Sequence, residues 1–117
     1  MGMQFEQLDE IVCARLSGRL DSNNAAVVEQ ALLARIREGH SRLVIDLKNL
    51  DYISSAGLRV FLLVAKKLRQ QQGQLSLCNL SRPIKQVFEI SGFTAILKVC
   101  DDIDSARAAV MQSSALP

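Results

Sequence analysis

At 117 residues, 49% hydrophobic and 22% charged, the chain is long enough to bury the core of one domain and too short for a second. Its formal charge of +2 comes from 14 basic and 12 acidic residues in mixed order, and four Phe, one Tyr and no Trp offer little of the clustered basic, aromatic surface that binds nucleic acid. No apolar stretch reaches the ~18–20 residues of a membrane span, and the opening MGMQFEQLDE carries acids where a secretion signal carries bases, so a cytoplasmic protein without direct membrane insertion is expected.

In chain order, Gln4 to Leu8 reads as a first strand and Ile11 to Ser17 as a second, with Asp9 and Glu10 as the hairpin turn. Val12, Ala14 and Leu16 alternate with more mixed neighbours, which gives the second strand one apolar face, and Gly18 to Asp21 close it. SNNAAVVEQALLARIREG begins with capping residues and ends at a glycine, and Ala25, Val28, Leu32 and Ile36 share one face of the helix it predicts. The third strand, Arg42 to Lys48, is apolar at Val44, Ile45 and Leu47, as a central strand covered on both faces by helices would be.

A polar turn and two serines, Ser54 and Ser55, then precede AGLRVFLLVAKKL, where Leu58, Phe61, Leu62, Ala65 and Leu68 recur at the spacing of one helical face. Val60 and Leu63 fall away from that stripe, near Arg59 and Lys67, and either cover a neighbouring strand or form a docking patch. QQQGQ turns the chain into a fourth strand, Gln74 to Asn79. Pro83 suits the first turn of a short helix with Ile84, Val87 and Phe88 inward and Gly92 at its end. Ile96 to Cys100 reads as a last strand and DDIDSARAAVMQ as a last helix. The expected whole is an α/β domain over residues 1–112, a mixed sheet of four to five strands with about four helices, and a frayed tail over 113–117.

Groups that bind in open α/β sheets gather at the carboxyl ends of the strands, where this reading places Asp46, Asn49, Asp51 and both serines. A helix start has unpaired N–H groups and a positive dipole end, so one serine is the natural cap and the other can carry an anion outward. Ser54, on the strand side, takes the cap, which leaves Ser55 to accept a phosphate. Cys13, Cys78 and Cys100 lack the close spacing of metal or redox sites and read as buried reduced thiols. His40, the one histidine, has no second imidazole for a metal and lies in a polar turn. No cofactor and no catalysis are expected; the glycine arrangement of a nucleophile elbow is absent around Ser55.

The segment DLKNLDYISSAGLRVFL, from Asp46 to Leu62, resembles the signature of STAS domains, shared by bacterial anti-sigma factor antagonists and the cytoplasmic tails of sulfate transporters. The antagonists' loop commonly reads Asp-Ser-Ser/Thr-Gly-Leu, and its first serine is phosphorylated by the cognate anti-sigma factor. By position the resemblance makes Ser55 the phosphoacceptor, with Ser54 the second choice. Ala56 replaces the second hydroxyl residue, Gly57 and Leu58 match, and Ser54 stands where the antagonists have aspartate. GRLD resembles the family's Gly-x-Leu-Asp, which makes Asp21 a candidate beside the loop; as a local role, Asp21 would simply end the strand and favour the next helix. SRPIKQVFEISGFTAILKVCDDIDSARAAV is similar to the family's C-terminal half.

The resemblance implies an anti-sigma factor antagonist that regulates transcription by partner switching. Unphosphorylated, it would bind an anti-sigma factor serine kinase through Asp21, Ser54, Ser55, Ala56, Gly57, Leu58, Arg59, Val60 and Leu63. Phosphorylation would release it, and a phosphatase acting on the phosphoserine would reset it. The alternative is a STAS-type regulatory or assembly subunit of a transporter or lipid-trafficking complex, in which Ser55 is only a capping residue.

Overall fold

In the computed structural model, which describes residues 1–112, the chain lays down five strands in sequence order across one sheet. They are β1 (Gly2–Leu8), β2 (Ile11–Leu20), β3 (Arg42–Ile53), β4 (Gln74–Cys78) and β5 (Val99–Cys100), with β1 antiparallel to β2 and all later neighbours parallel. Parallel neighbours need a crossover, and the crossovers carry α1 (Ala25–Arg37), α2 (Ser55–Gln70) and α3 (Arg82–Ile90). Because the strand order always advances in one direction, crossovers of one hand deliver these three helices to one face. The final helix, α4 (Ile103–Met111), crosses to the other.

The two faces have separate cores. On one, Val12, Ala14, Leu16, Leu43, Ile45, Leu47 and Leu77 meet the buried residues of α1, α2 and α3. Phe88 stacks on Phe61 at 6.2 Å and meets Phe93 edge-on at 6.4 Å, which locks α3 against α2. On the other, Ile11, Cys13, Val44 and Cys78 are covered by Ala106 and Val110 of α4. That helix is also tied by polar contacts: buried Ser76 donates to the Ala106 carbonyl at 2.8 Å, and Arg42 Nε donates to the Val110 carbonyl at 3.1 Å. Among the described residues no helix is long and apolar enough to cross a membrane.

The strand boundaries depart from the sequence reading at defined places. β3 does not turn at Lys48; it runs on to Ile53, paired with β2 as far as Leu20. Two bulges explain why. Between Arg15↔Asp46 and Ser17↔Asn49, and again between Gly18↔Leu50 and Arg19↔Tyr52, β3 uses one residue more than β2. Its inward residues therefore become Leu47, Leu50 and Ile53, a three-residue spacing in place of strand alternation. Asp46 is thus not at the strand end with the serines. It is 9% exposed in mid-strand, where Oδ1 accepts from Lys48 N–H at the first bulge and from Asn79 Nδ2. β4 ends at Cys78 because Asn79 turns left-handed, φ 60°. The last strand is only Val99–Cys100; a 3₁₀ turn at Phe93–Ala95 buries Leu97 and leaves Ile96 outside. Val87, expected inward, is half-buried. The tail expected over 113–117 lies outside the described residues.

Candidate functional site at the start of α2

Leu20 and Ile53 are paired across β2 and β3, so the residues that follow them, Asp21 and Ser54, leave the sheet side by side. A hydrogen bond from Ser54 N–H to the Leu20 carbonyl, 2.9 Å, joins the two departing segments. Ser54 is extended, φ −93° and ψ 173°, and its Oγ accepts from Gly57 N–H at 3.3 Å. It is therefore the N-cap of α2, as the order of the two serines predicts. Ser55 is the first helical residue and is exposed. No acidic side chain occupies the first turn, so the positive end of the helix faces solvent uncompensated from within.

Gly57 explains how the helix start sits so low on the sheet. A Cβ on it would lie 2.8 Å from Leu20 Cγ and 2.9 Å from Ile53 Cγ1, too close for any other residue without movement. Leu58 follows at 4% exposure. Gly57 and Leu58 thus act as packing residues; their side-chain positions offer no surface to a partner.

The other loop is held by its own polar groups. Asp21 is half-buried; its Oδ1 accepts from Asn23 N–H at 2.9 Å, and its carbonyl accepts from Asn24 and Ala25. Asn24 in turn accepts from Asp21 N–H at 3.0 Å and donates to the Arg19 carbonyl at 2.8 Å. Arg19 Nε is 3.9 Å from the Asp21 carboxylate, and its guanidinium lies 4.1 Å from the centre of the Tyr52 ring, which is 40% exposed. Sequence reasoning did not single out Arg19, Tyr52 or Asn24. Arg19 and Tyr52 are neighbours only through the second bulge, so no spacing in the chain announces them.

The pair left open between core and patch divides. Val60 is 2% exposed and belongs to the core, because α1 packs alongside α2 and widens its buried arc to Leu58, Val60, Phe61, Val64 and Leu68. Its place in the partner-binding set is corrected to packing. Leu63 stays 42% exposed. Arg59 is exposed, and Ala56 is half-buried against the core.

The thiols lie away from this site. Burial pushes Cys78 up to about 12 and raises Cys13 and Cys100 as well, which keeps all three protonated at neutral pH. Cys13 and Cys78 are buried, whereas Cys100 is only half-buried. Among the described residues no three His, Cys, Asp or Glu side chains converge to hold a metal ion.

This geometry, a capped helix start beside a strand-end aspartate on a mixed sheet with one helix on its second face, can be set against known proteins. A family profile described as STAS domain matches residues 2–106. The chain belongs to the STAS domain family. Among its relatives, BtrV of Bordetella bronchiseptica, a candidate anti-sigma factor antagonist, is 48% identical over 117 residues, 100% of this chain and 99% of its own. The anti-sigma-B factor antagonist of Listeria monocytogenes is 38% identical over 85 residues, 72% of this chain and 74% of its own. The crystal structure of a candidate anti-sigma factor antagonist from Thermotoga maritima superposes with a TM-score of 0.89 at 19% identity, over 94% of this chain and 95% of that one, and so shares the STAS fold.

Proposed function

We propose that this STAS domain is an anti-sigma factor antagonist: unphosphorylated, it binds an anti-sigma factor serine kinase in the cytoplasm and frees a sigma factor, and phosphate on Ser55 ends that contact. The observation that carries the reading is the division of labour between the two serines. Ser54 spends its oxygen on Gly57 N–H, so Ser55 can be modified without loss of the cap. The kinase would transfer the γ-phosphoryl group of ATP to Ser55 Oγ and release ADP; a separate phosphatase would hydrolyse the phosphoserine. The chain is then ligand and substrate, with no catalytic group of its own. A phosphate brings roughly −1.5 to −2 charges. Every ~1.4 kcal/mol is tenfold in affinity, and a dianion placed in a contact exceeds that readily.

The names of the relatives support an antagonist role, and the exposed Ser55 supports the kinase step. Intact-protein mass spectrometry after incubation with ATP and a purified candidate anti-sigma kinase tests it. One added phosphate, retained in Ser54→Ala and lost in Ser55→Ala, is expected. A kinase that binds yet adds no phosphate would overturn the switch and leave a constitutive assembly partner.

A further inference from the structure

One side of α2 is chemically one-sided. At ~100° per residue, Ser55, Arg59, Leu63, Lys66 and Gln70 fall within about a quarter of the helix circumference, and all five are exposed. The helix carries four basic residues and no acidic one, on a chain whose net charge is only +2. Outside this helix Arg15, Arg19, Arg35, Arg42 and Arg107 each find a carboxylate among the described residues, while Arg37, Lys48, Arg82, Lys85 and Lys98 do not and are scattered over several elements. None of the ion pairs among the described residues involves Arg59, Lys66, Lys67 or Arg69.

At the far end this stripe borders a groove against α1. Its volume is about 210 Å³, and Glu29, Leu33, Leu63, Lys66, Lys67 and Gln70 line it. Two leucines, one from each helix, thus share the groove with two lysines of α2 that are in none of these ion pairs and with Glu29 of α1. This is a surface for one aliphatic side chain flanked by carboxylates.

We infer that the α1–α2 groove is a second contact for the anti-sigma kinase and takes an acidic segment of it that carries an aliphatic anchor. The inference rests on the kinase-partner reading above and extends it from the helix start to its far half. Charge complementarity selects the occupant: Lys66 and Lys67 outweigh the one carboxylate of the lining, Glu29, so the groove favours an acidic segment over a basic one, and the leucines reward an apolar insertion. Lys66 stands eleven residues beyond Ser55, so roughly 16 Å along the helix at 1.5 Å per residue. That is about twice the ~8 Å screening length at physiological salt. The two ends of the stripe therefore act independently: phosphate weakens the contact at Ser55, and the groove holds the kinase through and after transfer.

Titration calorimetry of the full chain with a purified candidate anti-sigma kinase, at low and high salt, tests this. Lys66→Glu with Lys67→Glu is expected to weaken binding by about tenfold or more at low salt, and by a similar factor whether or not Ser55 carries phosphate. Arg37→Glu with Lys98→Glu makes the same change in net charge on exposed residues away from the stripe and is expected to bind like the unmodified chain. Each variant replaces one last-turn cation of a helix, Lys67 in α2 or Arg37 in α1, so the urea midpoints of the two variants should match each other, which separates lost contact from lost fold. If the parent chain binds and the Lys66/Lys67 variant binds as well, the groove inference falls and the kinase reading stands. If the parent chain binds no kinase, both fall.

Discussion

Replacing Gly57 by alanine tests how the sheet sets the height of the candidate site. In an exposed helix interior this change stabilises, because alanine is favoured by about 0.8–1.0 kcal/mol. At Gly57 the opposite is expected. The new Cβ would stand 2.8 Å from Leu20 Cγ, 3.2 Å from Leu20 Cδ2 and 2.9 Å from Ile53 Cγ1, and these side chains are 0% and 4% exposed. Leu20 Cγ is one bond from its own Cβ, so it cannot swing clear as a chain tip can. Overpacking of this kind costs typically ~1–3 kcal/mol, which outweighs the propensity gain and leaves a net loss of about 1 kcal/mol. Urea unfolding reads it as a lower midpoint at an unchanged slope. Gly57→Val, with two more methyl groups in the same space, should lose about 2 kcal/mol or more. Leu20 and Ile53 immediately precede Asp21 and Ser54, so any adjustment there displaces both loops, and Ser55 phosphorylation should fall further than stability alone explains. A Gly57→Ala protein more stable than the parent would refute the close-approach argument.

The cap gives a second prediction: Ser54→Ala should cost about 1 kcal/mol, whereas Ser54→Asp should keep most of it, because a carboxylate also accepts from Gly57 N–H and suits a helix start that has no acid of its own. Equal loss in both variants by urea unfolding would deny the Ser54–Gly57 bond its role. The buried thiols give a third. Cys78 keeps its proton in the folded chain until about 12 against an ordinary 9.0, so the unfolded chain loses protons first as pH rises. The stability that the neutral thiol confers is therefore complete below ~9 and declines from there towards ~12. Urea midpoints measured across that window should fall in the parent and fall less steeply in Cys78→Ala. An identical slope in the two proteins would remove Cys78 as the cause.

Much of this is legible in the sequence, for physical reasons that differ by element. Two serines before an amphipathic run specify both a cap and an exposed neighbour, since only one side chain can serve the Gly57 N–H. The crossover helices are legible because each buries a single stripe. The second half of β3 is not, because its bulges place Leu47, Leu50 and Ile53 inward at a three-residue spacing that strand alternation does not produce. Val60 and Leu63 illustrate a second limit. Three positions apart on one helix, they differ in burial because Val60 joins the core while Leu63 borders the open groove against α1, and the position of α1 is not written in α2. The Arg19–Tyr52 contact depends on register across the second bulge and has no signature along the chain at all.

On the proposed reading, the placement of Ser55 also decides where the switch must act. A phosphate on the first residue of a helix meets unpaired N–H groups and the positive dipole end, and α2 has no acid in its first turn to oppose it. Such a phosphate strengthens the helix start; melting is not available as a mechanism. Arg59 lies one turn on, four residues from Ser55, at the spacing where opposite charges on a helix attract. The dianion thus draws Arg59 to itself and withdraws from the partner a cation one turn from the loop, while it repels the partner's carboxylates directly. Both effects act on the contact surface and neither needs a change of fold. Discrimination between the two forms then resides in the interface alone, and a domain as rigidly packed as this one can be switched and reset without unfolding.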